Sequence, residues 1–329
     1  MKYTANSGRY DSMKYIRLGK SGLKTSAIAF GMWQNFGGAS QYDNCLEMIR
    51  TAFDLGITYF DLANNYGGPP GFAEENFGKI LKQDFGCYRD EMIITSKAGH
   101  RMWEGPYGFG SCKKSLVSSI DQSLKRVGVD YFDIFFSHRF DEETPLEETF
   151  EALDLLVKQG KALYIGVSSG YNEKEMEEVV KITKRLGTPL VIHMARYSMF
   201  NRELEGGLQD LLTDEGIGSM AFSPLAEGAL TDKYLTGIPE NSKAERGGKY
   251  TSSKEGVDKV NALNELAKKR GQTLAQMAIS WALREEKVQC ALLGASSAAQ
   301  IRENVKALNN LEFCKDELEA IELILSKGR

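Results

Sequence analysis

Four residues in the first half of the chain have types and spacings suited to moving a proton. Asp61 closes the run Ile57-Thr-Tyr-Phe-Asp, Tyr66 follows in Asn64-Asn-Tyr-Gly-Gly, Lys97 ends Met92-Ile-Ile-Thr-Ser-Lys, and His138 follows Asp133-Ile-Phe-Phe-Ser. Taken singly, three of them have ordinary roles: an Asp after a strand caps a turn, a Tyr in such a loop packs its ring, and a lone His is satisfied inside a core. Lys97 is less ordinary, because an amine following a buried strand needs a carboxylate or a ligand to offset desolvation. Asp61 is the nearest candidate in strand order. Together the four describe a proton donor. A Tyr hydroxyl titrates near pH ~10, so its use as an acid at neutrality calls for a cation that stabilises the phenolate. Lys97 supplies that cation, Asp61 holds Lys97 charged and oriented, and His138 hydrogen-bonds a carbonyl oxygen.

Such side chains must be presented by a rigid frame. Short, nearly continuous apolar runs alternate with helical patterns, as expected of βα units around a parallel sheet buried on both faces. The runs are Ala27 to Phe30, Tyr59 to Asp61, Met92 to Ser96, Tyr131 to Phe136, Ala162 to Val167, Leu190 to His193, Ser219 to Phe222 and Ala291 to Leu293. About eight such units close a (β/α)8 TIM barrel, whose chemistry sits at the C-terminal ends of the strands, where the four residues fall. Helical spacing covers about Cys45–Leu55, Ala73–Lys82, Lys113–Val127, Glu173–Leu186 and Val257–Lys269, and a C-terminal helix closes the chain. A further helix is predicted from Thr144 as N-cap, Pro145 at the first helical position and Glu147 completing a capping box, ahead of Leu146, Phe150, Leu153 and Val157. Tyr15 to Leu23 reads as an N-terminal β-hairpin, turning at Gly19 to Gly22 and plugging the bottom of the barrel. The polar stretch 225–255 is too long for an ordinary connection and reads as a cofactor-covering loop. No linker or composition break divides residues 1–329, so one domain is expected.

Composition narrows the function. Lys+Arg 41 against Asp+Glu 45 gives a net charge of −4, with no basic field for nucleic acid or anionic lipid. No apolar run approaches the roughly 18 residues of a membrane span, and the polar stretch Met1 to Tyr15 lacks an apolar targeting core, so a cytoplasmic protein is expected. Cys45, Cys87, Cys112, Cys290 and Cys314 are widely spaced and form no CxxC, consistent with ordinary thiols. His100, His138 and His193 show neither HxH nor HExxH spacing, which disfavours a metal-dependent barrel hydrolase or isomerase, and no metal is expected.

Phe60-Asp-Leu-Ala-Asn-Asn-Tyr-Gly, Ile94-Thr-Ser-Lys, Asp133-Ile-Phe-Phe-Ser-His and Ile165-Gly-Val-Ser-Ser resemble, in order and spacing, the motifs of the aldo-keto reductase superfamily. The resemblance runs from about Tyr15 to the C-terminus. Asn65-Tyr-Gly-Gly-Pro-Pro-Gly, Met102-Trp-Glu-Gly-Pro-Tyr-Gly, Phe222-Ser-Pro-Leu-Ala and Leu293-Gly-Ala-Ser further resemble the L-glyceraldehyde 3-phosphate reductase branch, a near relative of the potassium-channel β subunits. The resemblance implies NADPH-dependent reduction of a small aldehyde such as L-glyceraldehyde 3-phosphate or methylglyoxal, with Asp61, Tyr66, Lys97 and His138 as the catalytic tetrad. NADPH/NADP+ would lie extended, and no GxGxxG follows a strand. Trp33, Asp61, Ser168 and Ser169 would lie near the nicotinamide, Phe222, Ser223, Pro224, Leu225, Ala226 and Gly228 along the diphosphate, and Gly294, Ser296, Gln300, Glu303 and Asn304 at the adenosine end. Trp33, Trp103 and Tyr107, with Tyr66 and His138, would wall the substrate pocket.

Ser297 and Gln300 look like a capping box, and free N–H groups at a helix start favour a phosphate, although a well-capped helix alone explains the same residues. Lys233 and Lys243 are cations able to reach phosphates, or else solvated surface lysines. The chain departs from the family pattern at Met194, where relatives have a Gln that hydrogen-bonds the carboxamide, at Ser169 in place of Asn, and at Lys243 in place of Arg. The resemblance leaves room for a homo-oligomer, tetrameric or larger. It also leaves a rival function, a cofactor-holding regulatory subunit of a larger assembly with slow turnover.

Overall fold

The computed structural model describes residues 3–235, 250 and 253–326. The β-rich apolar runs form β3 (Ile28–Gly31), β4 (Tyr59–Asp61), β5 (Ile93–Ala98), β6 (Phe132–Arg139), β7 (Ala162–Ser169), β8 (Leu190–Arg196), β9 (Gly218–Phe222) and β10 (Cys290–Leu293). They close a parallel barrel in the order β10-β3-β4-β5-β6-β7-β8-β9. Closure joins the two ends of the chain, with Ala291 opposite Ile28 and Leu293 opposite Phe30. Inside the ring, Gly166 allows β7 to pass Phe136 closely: a Cβ there would stand 2.5 Å from the Phe136 ring.

An antiparallel hairpin of β1 (Tyr15–Arg17) and β2 (Lys24–Ser26) precedes the barrel. Its turn carries Leu18, which is fully buried and joins an interior cluster with Tyr59, Ile93, Val191 and Cys290, all at or near the starts of their strands. The hairpin therefore floors the barrel. Gly19, at φ +52°, lies so close to the turn before β9 that a Cβ would meet the Gly216 carbonyl oxygen at 2.0 Å, and the next amide, that of Lys20, donates to the same oxygen.

The outer layer comprises α1 (Tyr42–Asp54), α2 (Phe72–Ile80), α3 (Lys113–Val127), α4 (Leu146–Lys158), α5 (Glu173–Leu186), α6 (Gly207–Glu215), α7 (Lys254–Lys269), α8 (Leu274–Leu283), α9 (Ala298–Val305) and α10 (Lys315–Ser326). In α5, Met176, Val179, Val180 and Thr183 form the buried face, the Asn172 side chain caps the first turn and Gly187 ends the last in the left-handed region. α4 begins differently from expectation. Pro145 itself is the N-cap residue and no side chain caps the helix; Thr144 instead donates to Asp141 Oδ2, and Glu147 pairs with Arg185. β6, β7 and β8 extend beyond their expected ends, so that His138 and Ser168 lie within strands.

Candidate active site

Three adjacent strands and one loop bring the four chemistry-bearing residues together. Asp61 ends β4 opposite Thr95, and Lys97 on β5 is paired in register with Phe136 on β6, two residues before His138. The loop after β4 is tied back by main-chain bonds from Leu62 N to Thr95 O and Asn64 N to Lys97 O, both 3.0 Å, which deliver Tyr66 over the barrel. Lys97 and Asp61 are both fully buried. The ammonium donates to Asp61 Oδ2 at 2.5 Å, Leu62 O at 2.7 Å and Tyr66 Oη at 3.3 Å, which uses all three of its protons. Thr95 Oγ1 donates to the other carboxylate oxygen at 2.9 Å. Burial pushes this pair toward its neutral forms, and each member holds the other charged.

Tyr66 is half-buried, with its hydroxyl turned inward. Burial and the Asp61 carboxylate raise its pKa well above the usual value of 10.0, so it keeps its proton until negative charge develops beside it. The His138 ring meets the Tyr66 ring edge-on at 5.6 Å and the His100 ring at 4.4 Å. Its Nδ1 is buried with no hydrogen-bond partner among the described residues. Burial, then the Lys97 charge and His100, hold His138 well below the ordinary histidine value of 6.5, so the ring is neutral at neutral pH.

Sequence reasoning missed two supports. Behind β5, buried Glu74 on α2 accepts from Ser96 Oγ at 2.5 Å and from Arg126 Nε at 2.6 Å, pinning the residue next to Lys97. An acid at the third position of α2 looks like any first-turn residue, so only its burial marks it. The second is His193, whose Nε2 donates to Tyr171 O at 2.8 Å and whose pKa burial pushes down to about 4. An unfolded histidine binds its proton near pH 6.5. Between that pH and about 4, the unfolded state therefore carries the extra proton, and stability falls as pH falls. Thermal melts across this range are expected to show a loss of about 1.4 kcal/mol per pH unit from this group, and His193→Gln to flatten the slope. A slope unchanged in the variant would remove His193 as its source.

The other expected positions lie around the same mouth. Ser168 and Ser169 end β7, and Ser168, though only 3% exposed, has a hydroxyl without a partner among the described residues. Met194 is 2% exposed and packs in the barrel interior, opposite Met220 on β9. After Phe222 the chain turns sharply through Ser223, Pro224, Leu225, Ala226, Glu227 and Gly228, with positive φ at Ser223, Ala226, Glu227 and Gly228. Such backbone makes concavities lined with N–H groups that suit anions. Lys233 lies in a short helical turn against Tyr234, whereas Lys243 and most of the expected covering loop lie outside the described residues.

At the start of α9 only half of the expected capping box forms. Ser297 Oγ accepts from Gln300 N at 3.4 Å, but the Gln300 side chain accepts from Ser296 N and Oγ instead of returning to the cap residue's amide. Glu303 pairs with Lys306, and Asn304 and Gly294 stand on either side of this corner, which Asn35 and Asn44 stitch to the front of the barrel. Trp33, Trp103 and Tyr107 are 55%, 40% and 49% exposed around the opening. Among the described residues no group of three or more His, Cys, Asp or Glu is placed to hold a metal ion.

A closed parallel barrel with a buried Lys–Asp pair touching a tyrosine at its mouth agrees with comparison to known proteins: the profile of the Aldo/keto reductase family matches residues 27–326, and the chain belongs to that family. L-glyceraldehyde 3-phosphate reductase of Escherichia coli O157:H7 is 49% identical over 336 residues, covering 100% of this chain and 97% of that one. A "probable voltage-gated potassium channel subunit beta" of Arabidopsis thaliana is 35% identical over 307 residues, covering 90% and 92%. The holo form of aldo-keto reductase AKR11C1 from Bacillus halodurans superposes with a TM-score of 0.78 at 26% identity, covering 95% of this chain and 96% of that one.

Proposed function

We propose that this protein is a cytoplasmic, single-domain reductase that converts a small aldehyde to the alcohol with NADPH. The observation that carries this reading is the Lys97 ammonium bridging Asp61 and the Tyr66 hydroxyl. A reduced nicotinamide supplies a hydride to the carbonyl carbon when bound. The rest falls to the chain. His138, kept neutral, offers a ring N–H to the carbonyl oxygen and fixes it near Tyr66. As charge builds on that oxygen, Tyr66 gives up its proton and Lys97 stabilises the phenolate, with Asp61 keeping Lys97 in place.

The residues fit the cofactor: the spare Ser168 hydroxyl suits a carboxamide, and the positive-φ turn at 223–228 suits a diphosphate. Met194 offers only a weak acceptor where a Gln would both donate and accept. Met194→Gln is therefore expected to tighten NADPH binding several-fold, as one neutral hydrogen bond is worth about 0.5–1.5 kcal/mol. Fluorescence titration measures it, and weaker binding by the variant would mean that the pocket is built around the thioether.

Activity is tested by the loss of NADPH absorbance across a panel including L-glyceraldehyde 3-phosphate, glyceraldehyde and methylglyoxal. Failure on every member would end the enzyme reading. The likeness to a channel β subunit favours one alternative, a cofactor-holding partner in a larger assembly, which recovery of a membrane protein on pull-down together with slow turnover would support.

A further inference from the structure

One arginine at the mouth has no part in the scheme above. Arg196 closes β8, where Ile192 and Met194 face the barrel interior, and the alternation of side chains along a strand puts Arg196 on that same face. Its register partner is Phe222, at the end of β9, and its guanidinium lies 5.5 Å from the centroid of that ring. Arg196 therefore stands at the rim beyond Met194, beside the turn that follows Phe222. One arm is engaged: Nη1 donates to Glu227 Oε1 at 3.4 Å, long for a charge-assisted hydrogen bond, with the two side chains 36% and 34% exposed. The rest of the fork makes no hydrogen bond among the described residues. Arg284 shows the contrast: it is buried, and its terminal nitrogens donate to Tyr197 Oη, Trp281 O and Glu205 Oε1.

The partner of that single arm is placed oddly. Glu227 has φ +59°, and Ser223 and Ala226 in the same turn have φ +54° and +49°. Three non-glycine residues in the left-handed region within five positions is costly backbone, of the kind kept where a ligand is held. The N–H concavities of such a turn suit an anion, yet a carboxylate within it opposes one unless a cation neutralises it. The chain as a whole, at net charge −4, offers no general positive field to do so, and Lys97 spends its protons inside the barrel. Arg196 is the described cation joined to this turn. A planar guanidinium matches a phosphate with two parallel hydrogen bonds, which one long contact to Glu227 does not use.

We propose that Arg196 binds the diphosphate of the nicotinamide cofactor and that Glu227 competes for the same guanidinium, so that the pair sets cofactor affinity. The inference rests on the reading of the turn 223–228 as a diphosphate site and adds to it a cation and a competing acid. When the cofactor enters, Arg196 exchanges its contact with Glu227 for one with a phosphate oxygen; no covalent bond or proton moves. Arg196 thus acts in binding and takes no part in proton transfer.

The test is fluorescence titration of NADPH into the whole protein, without turnover. Arg196→Gln is expected to raise Kd about tenfold, and Arg196→Lys to raise it less, since charge remains while the fork is lost. Glu227→Gln is expected to act in the opposite direction and lower Kd several-fold, because it releases the guanidinium, and it gives an independent reading if the Arg196 variants do not fold. Adenosine 2′-phosphate, which has no diphosphate, is the control ligand, and its affinity is expected to be equal in wild type and Arg196→Gln. An NADPH affinity unmoved by the Arg196 substitutions, an equal loss for both ligands, or weaker NADPH binding by Glu227→Gln would overturn the inference and leave the reductase reading intact. Arg196-dependent binding of NADPH with no reduction of any aldehyde would sink the reductase reading and leave the arginine site standing. Failure of the wild-type protein to bind NADPH would end both.

Discussion

Tyr66→Phe is expected to lower kcat by about a hundredfold or more, the usual scale for removing a general acid. The ring and its edge contact with His138 are retained, as is the packing under it, so NADPH affinity should change little and the loss should fall on kcat. Because Tyr66 holds its proton far above neutral pH, its own ionisation cannot produce a break in the wild-type pH profile within the working range. The variant's deficit is accordingly expected to be uniform between about pH 6 and 9. Near-wild-type turnover at all pH values would show that another group delivers the proton.

The second large effect follows from the depth of the ion pair. Lys97→Met removes the ammonium from a fully buried carboxylate, leaving Asp61 with only the Thr95 hydroxyl. Breaking a buried pair in this way costs about 3–5 kcal/mol of stability. Pairing the change with Asp61→Asn removes the stranded charge, so the double variant is expected to regain much of that loss while remaining inactive. Denaturant midpoints of the two single variants and the double variant yield the coupling directly. If the double variant were no more stable than Lys97→Met, an unpaired carboxylate would not be the cause. Asp61→Asn alone should move the alkaline limb of the pH–rate profile to lower pH, because Lys97 loses the carboxylate that keeps it charged. A change in melting temperature with an unmoved profile would reduce Asp61 to a structural cap.

The parts of this molecule visible in the amino-acid order are those with a local signature. β5 reads as a strand because Met92 to Ser96 is continuously apolar or β-favouring, and α5 as a helix because Met176, Val179, Val180 and Thr183 recur on one face. The need of Lys97 for a carboxylate was legible for the same elementary reason that the structure satisfies it. α8 was not legible. Its residues Leu274 to Leu283 are buried all round, so no stripe separates an inner from an outer face, and the only external sign is the capping box of Thr273 and Gln276. The start of α4 misled because Thr-Pro-x-Glu is a strong local pattern, yet the Asp141 turn, tied to Ser111 in the preceding βα connection, competes for the Thr144 hydroxyl. Glu74 was invisible for a related reason: its burial is a property of the assembled barrel.

Closure of that barrel has a consequence for how the chain comes into being. The seam between β10 and β3 joins residues separated by most of the polypeptide, Ala291 with Ile28. During synthesis β3 emerges early and presents one unpaired edge, while β9 presents another, until Cys290 to Leu293 leave the ribosome and supply the shared neighbour. Open edges of this kind are templates for pairing with other chains, and contacts so distant in the chain form slowly. A nascent chain stopped between β9 and β10 therefore holds Asp61, Lys97 and His138 but has no ring to hold them in, and it is the species most exposed to aggregation.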